Sequence, residues 1–265
     1  MLLGCLVRRK RERTFVRGGD PGFARLDTAV EAALRPVRAR SEPFGVLYSG
    51  GVDSSLLAWE LRDRPGLALH TVGVRGSADL DAARSGAERI GLPWSGTVVE
   101  PAAVRSIVRE AAPELSGLAG VARRVLASFA VAVQTAHVAH LLCGQGIDEL
   151  FLGYAHFREL SEGAAAERAE ADLRRLQNDE WPRSVRIAAR FGSELLAPFL
   201  DLTFVEAARS IPLRERVPRG EAKAYFRAWA RHRGLPDELA GRPKRALQYG
   251  SGLDRIVRRA DDDPR

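Results

Sequence analysis

The stretch Leu47–Ser55, LYSGGVDSS, lies between an apolar run (Phe44 to Tyr48) and a helix-like one (Leu56 to Leu61). A strand, a glycine turn and a helix start, in that order, make a phosphate site. Glycines let the backbone approach an anion, and the helix start offers free N–H groups and the positive end of its dipole. Ser49, Ser54 and Ser55 add hydroxyls, and Gly50 and Gly51 form the turn. The Asp53 carboxylate would repel phosphate unless a cation such as Mg²⁺ stood between them. A Walker loop would carry a lysine here; this one has none, which argues against a kinase-like or GTPase-like chain.

Apolar spacing extends the unit in both directions. Phe23, Leu26, Ala29, Val30, Ala33, Leu34 and Val37 follow helical periodicity over 24–38. Strands are expected at 44–48, 67–74 and 94–99. Helices are expected after Gly51, after Ser77 and after Pro101, with Gly91 ending the second. This βαβαβα order predicts an α/β fold: a doubly wound parallel sheet with helices on both faces, and ligands at the carboxyl ends of its strands. An alanine-rich helix is expected over 121–140, carrying His137 and His140. Two histidines without a third ligand are read as helix residues rather than a metal site. Leu141-Leu142-Cys143 reads as a short strand, and 156–265 as a mainly helical C-terminal part with a disordered DDDPR tail. The division expected is a basic arm and helix over 1–40 and one nucleotide-binding domain over 41–265.

The 265 residues include only two cysteines, Cys5 and Cys143, which excludes a disulfide framework. No apolar run is long enough for a membrane span, and the apolar start precedes its charges, the reverse of a secretory signal. A cytoplasmic chain is expected. The net charge is +7, and lysine supplies only Lys10, Lys223 and Lys244 of 41 basic residues. The bulk positive charge is read as arginine bias, with RNA as the anionic partner it would suit. In such a chain a lysine stands out, so Lys223 and Lys244 become candidates for work at an anion.

A second motif, GQGIDELFLGY over Gly144–Tyr154, repeats the logic of the first: a strand ends, glycines turn, and Asp148 and Glu149 start a helix. Two such turns on one parallel sheet face the same crevice, where Asp53 and Asp148 would share Mg²⁺ with a pyrophosphate.

SGGVDSS resembles the pyrophosphate loop of the N-type ATP pyrophosphatases, of the adenine nucleotide alpha hydrolase-like class. With TVGVRGSADLDAAR, GQGIDELFLGY, GSELLAPFLD and RPKRALQYGSG in that order, residues 44–255 resemble the synthetase domain of the asparagine synthetases. The resemblance implies that ATP is attacked by a substrate carboxylate, aspartate in that family, giving an acyl-adenylate and pyrophosphate. Ammonia then displaces AMP. It implies that Ser49, Gly50, Gly51, Asp53, Ser54 and Ser55 hold pyrophosphate, and that Val72, Gly73 and Val74 lie beside adenine. Cys143 and Gly144 back the nucleotide, Asp53 and Asp148 hold the metal, and Lys244 stabilises the departing charge. Lys223 and Arg227 match a Lys-x3-Arg pattern.

Three departures qualify the match. Only about 40 residues precede the first strand, so ammonia is expected free, as another amine, or from a separate glutaminase subunit. Gln145 stands where the family has a glutamate that serves as base, and glutamine cannot accept a proton at neutral pH. That leaves Glu149 or Glu194, or a nucleophile that arrives neutral. Leu196 stands where arginine is common, which opens the identity of the carboxylate. Two other readings use the same loop: a tRNA-base-modifying adenylating enzyme, which the basic run RRKRER suits, and a nucleotide-binding module without catalysis.

Overall fold

The computed structural model describes residues 20–216, 222–242 and 247–262. The basic run RRKRER, Cys5, Lys10 and Lys244 lie outside them. Five strands, β1 (Phe44–Leu47), β2 (Leu67–Gly73), β3 (Trp94–Val98), β4 (His140–Leu142) and β5 (Glu194–Leu196), form one sheet. Their order is β3-β2-β1-β4-β5 and every neighbouring pair is parallel. The chain winds outward from β1 to β3, then crosses back to place β4 on β1's other side. The switch point of the doubly wound sheet therefore lies between β1 and β4, where the crevice of such folds opens.

Helix α1 (Pro21–Arg38) precedes β1, and the helices between strands are α2 (Val52–Glu60), α3 (Ala78–Ile90), α4 (Pro101–Glu110), α5 (Ala112–Leu115), α6 (Gly120–Ala136), α7 (Ile147–Leu150), α8 (Glu162–Arg175) and α9 (Trp181–Arg190). A π-helical turn, Leu176–Glu180, joins the last two. After β5 come α10 (Leu202–Arg209), α11 (Leu213–Arg216), α12 (Ala224–His232), α13 (Asp237–Ala240), α14 (Leu247–Gly250) and α15 (Leu253–Asp262).

Successive strand side chains point to opposite faces, and each face has its own core. Leu142 packs with Phe44, Val46, Leu67 and Leu69 among residues of α1, α2, α3, α10 and α12. Its neighbours Leu141 and Cys143 pack on the other face with Val72, α4, α6, α9 and α15. This is the two-sided covering that a parallel sheet requires. The apolar stripe of α1 belongs to the first core, continuous with the sheet. Asp20 caps its start, accepting from Gly22 N at 2.7 Å and from the Tyr225 hydroxyl at 2.8 Å.

One expectation is corrected. The alanine-rich helix stops at Ala136, where His137 adopts a left-handed conformation (φ 51°), and His140 opens β4. The two histidines therefore do not share a helix. β5 appears inside the part expected to be helical. Of the DDDPR tail, Asp261 and Asp262 belong to the last helix, and residues 263–265 lie outside the described residues.

Arg233, after α12, clamps the nearly buried Glu60 of α2 with bonds of 2.8 and 2.6 Å and reaches Glu31 of α1 at 2.6 Å. Removing one partner of such a pair leaves a stranded charge. Arg233→Ala is expected to cost about 3 kcal/mol in a urea titration. An unchanged midpoint would show that the clamp does not tie the C-terminal helices to α1 and α2.

Candidate active site

The turn after β1 is built from its own serines. Gly50 has φ +68°, a conformation that favours glycine. Gly51 then starts α2 in extended conformation, and its carbonyl accepts from Ser55 N at 2.9 Å. Ser49 Oγ accepts from Gly51 N, and Ser54 Oγ accepts from Ser49 N, both at 3.3 Å. Ser55 is fully buried and its hydroxyl meets the Tyr48 hydroxyl at 3.1 Å. Ser55 was expected to add a hydroxyl to the phosphate site; in the structure its hydroxyl meets Tyr48 inside the protein and braces the loop.

The turn after β4 comes up against the start of α2. A Cβ on Gly144 would stand 3.1 Å from the Asp53 backbone, tighter than side chains normally tolerate. Glycine at 144 therefore allows Asp53, in the first turn of α2, and Asp148, in the first turn of α7, to converge.

Lys223 joins them. Its ammonium lies 2.5 Å from Asp53 Oδ2 and 2.8 Å from Asp148 Oδ1, and the residue is 1% exposed. Burial pushes the ammonium's pKa down, but Asp148 and Asp53 outweigh burial and hold it above the ordinary lysine value. Lys223 has φ +58° at the start of α12. A Cβ on Gly153 would overlap both Asp148 Oδ1 and Lys223 Cε, so the LFLGY end of the second motif needs glycine at this position for close approach. Arg227, the other half of the Lys-x3-Arg pattern, donates to the carbonyl oxygens of Ala240 and Ala222 and anchors α12 to α13.

The Lys223 ammonium thus occupies the point where two carboxylates meet. Among the described residues no group of three or more His, Cys, Asp or Glu could hold a metal. Asp53 and Asp148 are hard oxygen donors of the kind that would hold Mg²⁺ accompanying a polyphosphate. They do not make an all-protein cage.

Beside this cluster Glu149 is buried, and the Tyr154 hydroxyl donates to its Oε1 at 2.5 Å. Burial, then the Asp148 charge, pushes the Glu149 carboxyl up to about 7. Cys143 is buried, with its thiol pushed up to about 12 and its Sγ 3.8 Å from Gln145 Oε1. Its N–H donates to the Leu196 carbonyl.

The remaining candidates separate. Val72 and Gly73 pair with β3, and Val74 N–H donates to the Ser251 carbonyl at 2.9 Å. These three residues line the carboxyl end of β2. Glu194 is not brought to the crevice. It opens β5, in register with the first residue of β4, at the amino ends of the strands. There it bonds Arg40 at 2.8 Å and His140 at 2.9 Å. Parallel strands put their first and last residues at opposite edges of the sheet, so a motif carrying Glu194 and Leu196 cannot deliver both to one end.

Sequence reasoning missed Arg242. Its Nη1 donates to the Ser49 carbonyl at 2.8 Å, and its Nη2 lies 3.6 Å from Asp79 Oδ1. In a chain so rich in arginine its residue type carried no signal; its place two positions before Lys244, in the quoted motif RPKRALQYGSG, did.

Lys223→Met keeps the stem and removes the charge, leaving two carboxylates facing each other. The variant is expected to lose about 3 kcal/mol of stability. Millimolar Mg²⁺ should restore part of the loss and leave the parent protein unaffected. Denaturant titrations with and without Mg²⁺ measure both, and equal stability of variant and parent would remove Lys223 as the cluster's counter-charge.

The sequence profile of the family described as Asparagine synthase matches residues 24–181 and 160–261. The glutamine-hydrolyzing asparagine synthetase of Gallus gallus is 30% identical over 235 residues, covering 83% of this chain and 42% of the relative. That of Homo sapiens is 31% identical over 221 residues, covering 78% and 39%. The chain therefore spans less than half the length of these curated relatives. Among solved structures, the NH3-dependent NAD synthetase from Campylobacter jejuni superposes with a TM-score of 0.36 at 13% identity, covering 76% of this chain and 96% of that one. The profile match extends over nearly all of the described sheet and its helices, and the chain belongs to the asparagine synthase family.

Proposed function

We propose that the chain is an ATP-dependent, AMP- and pyrophosphate-forming amide ligase. It adenylates a substrate carboxylate and lets ammonia or an amine displace AMP. The observation that carries this reading is the convergence of Asp53, Asp148 and Lys223 at the switch point, directly after the pyrophosphate-type turn.

In the first step a carboxylate oxygen of the substrate bonds to the α-phosphorus. The bond from that phosphorus to the oxygen bridging to the β-phosphorus breaks, and pyrophosphate leaves with the electron pair. Negative charge grows on the α-phosphate oxygens and on the leaving group, so fixed positive charge and N–H groups aimed there lower the barrier. Ser49 and Gly51 spend their N–H groups on loop serines, so the N–H of Gly50 and those of the first turn of α2 are the ones to face phosphate; Lys223 supplies an ammonium, and Lys244 is the second lysine assigned to this charge. Asp53 and Asp148 would hold Mg²⁺, which when bound neutralises phosphate charge as a Lewis acid. Val72, Gly73 and Val74 form the edge assigned to adenine, with Cys143 and Gly144 behind the nucleotide.

In the second step the amine nitrogen bonds to the acyl carbon, the bond to AMP breaks, and the nitrogen gives up a proton. Gln145 cannot take that proton. With Glu194 at the amino ends of the strands, Glu149, in the helix that follows the Gln145 turn, is the remaining one of the two; otherwise the amine arrives neutral. Aspartate is the first acceptor to test. Ammonia is supplied free or by a glutaminase, since the curated relatives are named as glutamine-hydrolyzing.

Incubation with Mg-ATP and ammonium, with and without aspartate, is expected to give AMP and pyrophosphate in equal amounts and no ADP. Asp148→Ala and Lys244→Ala are each expected to lower the rate by about 100-fold or more. Product formation that requires RNA instead of a small carboxylate would transfer the adenylation to a base carbonyl. ADP as product would defeat the reading.

A further inference from the structure

We propose that Arg242 is a positioning residue that clips the pyrophosphate loop into its anion-binding shape, with buried Asp79 as its anchor. The inference rests on the reading of that loop as the phosphate site, and it names how the loop is held. A loop of this kind must aim its N–H groups at the anion and keep its carbonyl oxygens away, because a carbonyl dipole facing phosphate repels it. The Ser49 carbonyl is the one most exposed to that conflict, since the chain reverses at Gly50 immediately after it. Arg242 Nη1 donates to that carbonyl at 2.8 Å and fixes its direction.

The contact is close on every side. A Cβ on Gly50 would collide with Arg242 Nη1 and would stand 3.0 Å from the Ala82 carbonyl of α3. Gly50 is thus held between the guanidinium and the α3 backbone. The other arm of the guanidinium, Nη2, is 3.6 Å from Asp79 Oδ1. Asp79 is in the first turn of α3 and is 1% exposed. On its other side Asp79 packs against Gly250 of α14, where a Cβ would overlap its carboxylate. Loop, α3 and the C-terminal segment are therefore joined through one planar side chain. A guanidinium can make two directed contacts at once, which a lysine ammonium on a flexible stem does less well. Both of its observed contacts are to protein groups, so Arg242 acts on a ligand through the loop.

A phosphate ligand and a loop clip differ in the sign of one effect. If Arg242 simply attracted phosphate, removing the Asp79 charge beside it would strengthen nucleotide binding. If it clips the loop, Asp79→Asn loosens the anchor and weakens binding. Calorimetric titration with Mg-ATP, inorganic pyrophosphate and adenosine, on the full chain, separates the cases. Arg242→Ala is expected to weaken Mg-ATP and pyrophosphate by about 10- to 100-fold, as loss of an outer-shell partner does, and to leave adenosine unchanged. Asp79→Asn should weaken the same two ligands less, and Arg242→Lys should lie between Arg242→Ala and the parent. Hydrogen exchange of the nucleotide-free protein supplies a readout that needs no ligand: amides at 49–51 should exchange faster in Arg242→Ala while those of β1 and β2 do not.

Tighter Mg-ATP binding by Asp79→Asn, equal losses for adenosine and ATP, or unchanged exchange at 49–51 would each overturn the clip. Faster loop exchange in a protein whose parent form binds neither Mg-ATP nor pyrophosphate would leave the clip standing and remove the adenylation reading.

Discussion

Two carboxylates and one ammonium, from residues 53, 148 and 223, hold the crevice together. Each comes from the start of a different helix, and each helix is placed by a different part of the chain. Asp53 follows the central strand, Asp148 follows the strand that returns to pair with it, and Lys223 enters from the C-terminal helices. Without the almost buried ammonium, the two carboxylates would face each other with no charge between them. Among the described residues the two carboxylates share this one ammonium, which ties three separate stretches of chain to one point.

The same balance appears around this centre at lower stakes. Arg242 meets a loop carbonyl and Asp79, and Arg233 meets Glu60 and Glu31. In this arginine-biased chain the guanidinium groups that matter to the fold are the ones with two protein partners in fixed geometry. The bias therefore needs no single cause. Some arginines are surface charge, and a few are struts between elements distant in sequence.

The parts legible in the sequence were those with local signals. Apolar runs bounded by glycine or proline marked β1 to β4, and seven apolar positions at helical spacing marked α1. The glycine turns before Asp53 and Asp148 located the crevice because glycine and helix-start chemistry is written in adjacent residues. β5 escaped because three residues at a sheet edge give no period to detect. The end of α6 was misplaced because apolar spacing continues past His137, while the stop is a backbone conformation. The ion cluster itself was only half visible. Lys223 drew notice by its rarity, but its pairing spans 170 residues and cannot be read from spacing. Arg242 was hidden by the composition that made lysine conspicuous.

The strand order has a consequence for how such a chain comes into being. β1 pairs early with β2, about twenty residues on, but its other edge waits for β4, nearly a hundred residues later. During synthesis the most apolar strand of the sheet therefore presents an open row of backbone donors and acceptors, the template on which chains misassemble. Closing that edge and creating the crevice are one event. A chain made only as far as β4 has a sealed sheet centre but still lacks Lys223 and Arg242, so the sheet closes before the site is complete.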